Sequence, residues 1–201
     1  MEKSLNSLFN ESEKNYGIIS STYKILEKSN EIKIPIHSAG QWLLDNMYII
    51  DEEYELIKGS LKSLKNEKLP VIKLHDGAEH IAIFYLAYEL VEKNTGYIDQ
   101  NLILNTLREH QKLSYLSSEE LDMFWLMLKI ALLKFLARIS LNISNSQLRK
   151  IDVEKILESE NDDGNIISEM YGEFRYIRNF KDYVSDENKI KNTNTAFVEY
   201  M

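Results

Sequence analysis

The sequence contains no cysteine, and it has only two prolines and seven glycines among its 201 residues. Without cysteine the chain has no disulfide, no thiolate metal ligand and no cysteine nucleophile. The scarcity of proline and glycine favours long helices joined by short loops. The absence of cysteine also suits a reducing compartment, and we expect the protein to be cytoplasmic.

Positive charge is also scarce, because 24 lysines and arginines face 32 aspartates and glutamates, for a formal charge of -8. Nucleic acid and anionic membrane surfaces both call for a basic face, so we expect neither as a partner. Residues 1–6 carry no apolar run, so we expect no secretory peptide. The most apolar stretch, residues 123–143, contains Lys129, Lys134 and Arg138. Each would cost about 3 kcal/mol at the centre of a bilayer, so we expect no membrane insertion but a buried helix whose cations reach outward.

Apolar residues recur at helical spacing through most of the chain. The spacing predicts helices over residues 4–29, 38–64, 76–93, 99–112 and 118–140. Residues 146–158 continue the helical pattern after the last of these. A further, aromatic-rich helix is predicted over residues 166–183. Residues 71–74 are too few and too isolated to predict a sheet. The expected fold is therefore all-α, a multi-helix bundle of about six helices. Residues 1–160 would form the helical bundle domain, and residues 161–201 a looser C-terminal extension that ends, at Met201, as a further helix begins.

Two segments have the form of a capping box, in which each side chain bonds a backbone N–H of the first helical turn. They are Ser38 with Gln41, and Ser117 with Glu120. After the first box, apolar residues alternate by three and four positions, which predicts one buried helix face: Leu43, Met47, Ile50, Tyr54, Ile57, Leu61 and Leu64.

No set of residues has the form of an active site. The sequence lacks a glycine-rich phosphate loop, a Gly-x-Ser-x-Gly elbow and a His-Glu-x-x-His motif. His75 and His80 are five residues apart and would point in different directions on a helix, so we predict no metal site. We likewise predict no catalytic residue and no cofactor. One acidic cluster is interpreted as a solvated helix face rather than an acid–base pair: Asp51, Glu52, Glu53 and Glu55.

Aromatic side chains offer the remaining candidates for binding. Trp42 and Trp125 have the form of sugar-stacking residues, but helical spacing places both in the core, and we interpret them as core anchors. Farther along, basic and aromatic residues alternate in a segment that is a candidate for partner binding: Tyr171, Phe174, Arg175, Arg178 and Phe180. Because the chain is acidic, we expect a protein partner there rather than single-stranded nucleic acid.

Three segments in this order resemble the N-terminal helical region of the cyclic β-1,2-glucan synthase family (glycosyltransferase 36-like): Gln41-Trp-Leu-Leu-Asp-Asn46, Leu69-Pro70, and the dense helix 119–140. The resemblance covers about residues 38–140, and its signature residues are Trp42, Leu43, Leu44, Asp45 and Asn46. The run Leu128-Lys-Ile-Ala-Leu-Leu133 resembles the end of the family's Glu-Leu-Trp-type helix. The chain departs from the family at Phe124-Trp125 and lacks the proline expected after it.

The resemblance implies a large multidomain enzyme that polymerises glucose from UDP-glucose and adjusts chain length with a phosphorylase-like region. None of the family's catalytic residues carries over to this sequence. The implied function is a non-catalytic helical module with a structural or positioning role, whose partner is the remainder of the enzyme. A free-standing adaptor that binds another protein through the aromatic segment is the alternative. A small enzyme acting on sugars or nucleotides is a third reading, which lacks convergent polar groups.

Overall fold

The computed structural model describes residues 5–64, 69–73 and 79–157, without the side chains of residues 152–157. These residues are mostly helical, in agreement with the predicted all-α class. The elements in chain order are α1 (Leu5–Glu31), α2 (Ser38–Ser63), β1 (Val71–Lys73), β2 (Glu79–Ile81), α3 (Ala82–Lys93), α4 (Gln100–Leu113) and α5 (Ser118–Leu157).

The predicted number of about six helices is corrected to five for the described residues. Residues 146–157 prolong α5, because no glycine or proline interrupts the chain between Ser118 and Leu157. The segment 166–183, which was to supply a further helix, lies outside the described residues. The same holds for the expected boundary at residue 160 and for the expected extension, residues 161–201.

A small antiparallel sheet replaces the first turn predicted for the third helix. β1 pairs with β2 in the register Val71 to Ile81 and Lys73 to Glu79. The expectation that this region holds no sheet was therefore wrong. The side chain of Ile81 is buried, and the N–H of Ala82 donates to the carbonyl of Pro70 over 2.8 Å. These contacts delay the start of α3 to Ala82.

α5 is the central helix, and it packs against α1, α2 and α3. Its middle is buried on nearly every side, as its continuous apolar sequence predicts. The fully buried part includes Phe124, Met127, Leu128, Ile130, Ala131, Leu132, Leu133 and Phe135. No helix in the described part of the chain is both long enough and apolar enough to cross a membrane.

α1 and α2 form an antiparallel pair beside α5. Near one end the rings of Tyr16 and Tyr54 stack with centroids 4.0 Å apart. Near the other, a Cβ added at Gly40 would meet the side chains of Ile36 and Leu26. The predicted face of α2 is buried from Leu43 through Leu61, with Leu64 partly buried. This face closes the core between the two helices.

Of the two predicted capping boxes, one is confirmed. The N–H of Ser117 donates to Oε2 of Glu120 over 3.1 Å, and the N–H of Glu120 donates to Oγ of Ser117 over 3.2 Å. The box predicted at Ser38 and Gln41 was wrong, because His37 is the N-cap and makes no side-chain cap bond. Gln41 instead donates along the helix to Asp45.

Candidate functional site

The five residues on which the resemblance rests, Trp42 to Asn46, lie together in the second and third turns of α2. Leu43 is buried in the core, and Trp42 and Leu44 are partly buried and packed against it. Asp45 accepts a hydrogen bond from Nε2 of Gln41 over 2.8 Å. Nδ2 of Asn46 donates to the carbonyl of Trp42 over 2.8 Å. These contacts of Leu43, Asp45 and Asn46 hold the helix or the core.

Three cations of α5 bind carboxylates on the three surrounding helices. Nζ of Lys129 lies 2.6 Å from Glu53 on α2, and Nζ of Lys134 lies 2.7 Å from Glu11 on α1. On α3, both oxygens of Glu92 accept from Nη1 of Arg138 at 2.7 Å. The expectation that these cations reach outward is only partly met, because each is about three-quarters buried. These ion pairs link α5 to α1, α2 and α3, and the residues adjacent to the cations in sequence do not predict such links.

The acidic cluster of α2 divides between solvent and core, so its interpretation as a solvated face was wrong for part of it. Glu52 and Glu55 are exposed, whereas Glu53 is buried against Lys129. Asp51 accepts a hydrogen bond from the hydroxyl of Tyr16 over 2.8 Å. Burial, with that bond to Asp51, raises the pKa of Tyr16 to about 12. The carboxylates of Asp51 and Glu53 therefore contribute to the packing of α2 against α1 and α5.

The two tryptophans have different environments. Trp42 is partly buried against the core, close to its predicted role as an anchor. Trp125 was predicted to be a core anchor, but its side chain is 51% exposed. α5 is apolar nearly all round, so its neighbours cannot cover every apolar position, and Trp125 lies on the uncovered side. The adjacent Phe124, in contrast, is buried inside the bundle.

A cavity of about 300 Å³ opens between α1, α3 and α5. We call it the α1–α3–α5 cavity, and its charged and amide lining consists of Glu11, Lys14, Asn15, Glu92, Lys134 and Arg138. Two of the lateral ion pairs, Lys134 with Glu11 and Arg138 with Glu92, form part of this lining. The ammonium of Lys134 also lies 4.5 Å from the ring centre of Tyr88. Sequence reasoning missed this site, because its members come from three distant helices.

No group of three or more histidines, aspartates or glutamates within residues 5–64, 69–73 and 79–157 has the geometry of a metal site. His80 pairs in a tilted ring contact with Tyr85. The candidate partner-binding residues lie outside the described residues: Tyr171, Phe174, Arg175, Arg178 and Phe180.

Comparison of the chain with protein-family models, with curated proteins and with solved structures found no match.

Proposed function

We propose that this chain is a non-catalytic helical module of a protein similar to the cyclic β-1,2-glucan synthases, with a structural or positioning role. The observation that carries the proposal is the use made of the signature residues on α2. Leu43 packs in the core, and Asp45 and Asn46 bond within their own helix. Residues engaged in this way support a scaffold role. The proposal includes a cytoplasmic location.

Exposed apolar residues on the outer surface of α2 and α5 support the proposal that this module binds a partner. Leu56 is exposed, and it lies three residues from Glu53, about 60° around α2 from the position that faces α5. α5 runs antiparallel to α2, because Lys129 meets Glu53 while Gln147 and Lys150 donate to the carbonyl of Pro35, just before α2. Apolar residues exposed together on neighbouring helices are typical of protein interfaces.

Because α2 and α5 are antiparallel, a position one turn before Lys129 in α5 lies level with a position one turn after Glu53 in α2. Trp125 and Leu56 therefore lie at the same level of the bundle. We call Leu56 and Trp125 the α2–α5 surface, and we propose that the remainder of the enzyme covers it. The matching surface of the partner would carry mixed aromatic and aliphatic side chains, since aromatic side chains are enriched at the centres of interfaces.

The proposal that the module is non-catalytic is tested with the purified 201-residue chain. It is incubated with UDP-glucose and β-1,2-linked glucose oligomers, and UDP release and oligomer length are followed. We expect no turnover above that of a heat-denatured sample. Turnover that scales with the concentration of folded chain would contradict the proposal and restore the reading as a small enzyme.

A further inference from the structure

α4 is only lightly buried against the rest of the bundle. Of its 14 residues, all of them described, one is buried, Ile103, whose side chain is 3% exposed. Leu102 and Leu107 are partly buried against the core, whereas Leu104 and Leu113 are 39% and 90% exposed. The shorter α3 buries five residues: Ile83, Phe84, Ala87, Leu90 and Val91. The attachment of α4 to the core therefore depends mainly on Ile103.

Polar contacts do not make up for this sparse packing. Within the described part of the chain, no side-chain hydrogen bond or ion pair joins α4 to another helix. The ion pair of Lys112 with Glu109 lies within α4 itself, and the carboxylate of Asp99 accepts from the first turn of the same helix. α1, α2 and α3 each have an ion pair to α5. α4 lacks such a link.

The chain on both sides of α4 is firmly held. Ile98, just before the helix, is 1% exposed, and Leu116, just after it, is 3% exposed. The N–H of Gly96 donates to the carbonyl of Val91 over 2.9 Å, which fixes the turn that leaves α3. Beyond the other end, the confirmed capping box begins α5. Residues 99–115 thus lie between two buried anchors, and we call them the α4 strap.

The strap should have a low free energy of opening. A helix of 14 residues is marginal on its own in water, so α4 needs its contact with the core to stay folded. Burial of Ile103 provides much less stabilisation than burial of the five residues of α3. Segments with few buried apolar contacts open more readily than the rest of a domain. The strap therefore combines local weakness with fixed ends.

We propose that the α4 strap is a conformational device of the bundle: residues 99–115 open and unfold as one unit, while α1, α2, α3 and α5 stay packed. Opening withdraws Ile103 from the core and makes accessible an apolar surface that the closed form covers. Ile98 and Leu116 stay in place and keep the open strap close to its docking position. This inference concerns the described bundle and does not depend on the proposed membership of a larger enzyme.

The test is amide hydrogen exchange of the ¹⁵N-labelled 201-residue chain, followed by NMR at several urea concentrations below the unfolding transition. We expect the amides of residues 104–112 to share one opening constant, at least about 100-fold larger than that of the middle of α5. They should also share one urea dependence, weaker than that of α5, because opening exposes less surface than global unfolding. Equal opening constants in α4 and α5 would overturn the proposal. A gradual decrease from the ends of α4 to its middle, which is the pattern of fraying, would overturn it as well.

Two matched variants separate opening of the strap from global unfolding. Ile103→Val and Ile25→Val make the same small change at two buried isoleucines, one on α4 and one on α1. Ile103→Val weakens a contact that opening breaks, so it should raise the opening constant of α4 about two- to tenfold. Ile25→Val weakens packing that the open form retains, so it should raise the opening constant of α5 by a similar factor and leave that of α4 unchanged. An unchanged opening constant of α4 in Ile103→Val, or an equal rise in α4 and α5 in Ile25→Val, would overturn the proposal.

Discussion

Nζ of Lys129 lies 2.6 Å from Oε2 of Glu53, which joins the central helix α5 to α2 across 76 positions of sequence. The side chains are 25% and 12% exposed, so this pair is largely withdrawn from water. An ion pair in such a position is weakly screened, and removing one partner leaves the other charge without compensation. Lys112 and Glu109 form a comparison pair on the surface of α4, with side chains 66% and 70% exposed.

We therefore predict unequal coupling energies for the two pairs. A double-mutant cycle with Glu53→Gln and Lys129→Gln should give a coupling of about 1–3 kcal/mol in urea unfolding. The same cycle with Glu109→Gln and Lys112→Gln should give less than about 0.5 kcal/mol. Equal couplings for the two pairs would contradict the burial of the Lys129–Glu53 pair.

The two glycines of α2 should respond in opposite directions to alanine. A Cβ at Gly40 would lie 2.7 Å from Cγ2 of Ile36 and 3.0 Å from Cδ2 of Leu26, whereas nothing lies within 4 Å of a Cβ at Gly59. Gly59→Ala should raise the free energy of unfolding by about 0.5–1 kcal/mol, because alanine is the better helix former. Gly40→Ala should lower it by about 1–3 kcal/mol, because the core must shift. Stabilisation by both substitutions would contradict the packing of α1 against α2.

The signature residues of α2 should affect stability according to their burial. Leu43→Ala should cost about 2–5 kcal/mol in urea unfolding, since Leu43 is a buried core residue. Asp45→Asn keeps an acceptor for Gln41 at an exposed position and should change stability by less than about 0.5 kcal/mol. A larger loss in Asp45→Asn than in Leu43→Ala would show that the signature does more than support the fold.

Stability should fall at high pH, partly through Tyr16. Burial and the bond to Asp51 raise the pKa of Tyr16 from 10.0 to about 12. Folding therefore favours the protonated phenol, and this contribution is complete below pH 10 and is lost as the pH rises towards 12. Tyr16→Phe should flatten the decline in this window without abolishing it, because the pKa values of Tyr23 and Tyr54 are also raised. Urea unfolding at a series of pH values measures the slope, and an unchanged slope in Tyr16→Phe would be the opposing result.

The exposure of Trp125 can be checked by fluorescence quenching. Trp42→Phe leaves Trp125 as the fluorophore, and Trp125→Phe leaves Trp42. Acrylamide should quench the Trp42→Phe variant more strongly, since Trp125 is 51% exposed and Trp42 is partly buried. Stronger quenching of the Trp125→Phe variant would contradict the orientation of α5.

The sequence predicted local features well where neighbouring residues determine them. The spacing from Leu43 to Leu61 was enough to identify the buried face of α2, because a helix face is set by residues three and four apart. The box of Ser117 and Glu120 was likewise confirmed, since its two bonds join groups within one turn. The box at Ser38 and Gln41 failed because Gln41 bonds Asp45 instead, a choice that the motif alone does not settle.

Features that depend on distant residues were not predictable. Strands of three residues have no periodicity to detect, so the pairing of Val71 with Ile81 was missed. The exposure of Trp125 depends on which sides of α5 its neighbours cover, and an all-round apolar helix does not show this. The cations of α5 were noticed, but their partners Glu11 and Glu92 lie on other helices. For that reason the α1–α3–α5 cavity became visible only in three dimensions.

The central claim, that the chain is one helical module of a larger glucan-synthesising enzyme, is tested most directly by the size of the native protein. An immunoblot of source cells uses antibodies raised against residues 1–201, and the detected band is digested and sequenced by mass spectrometry. The account predicts a band far above 23.6 kDa that also yields peptides from outside these residues. A band only at 23.6 kDa, without other peptides, would contradict it and turn the search to a free-standing role.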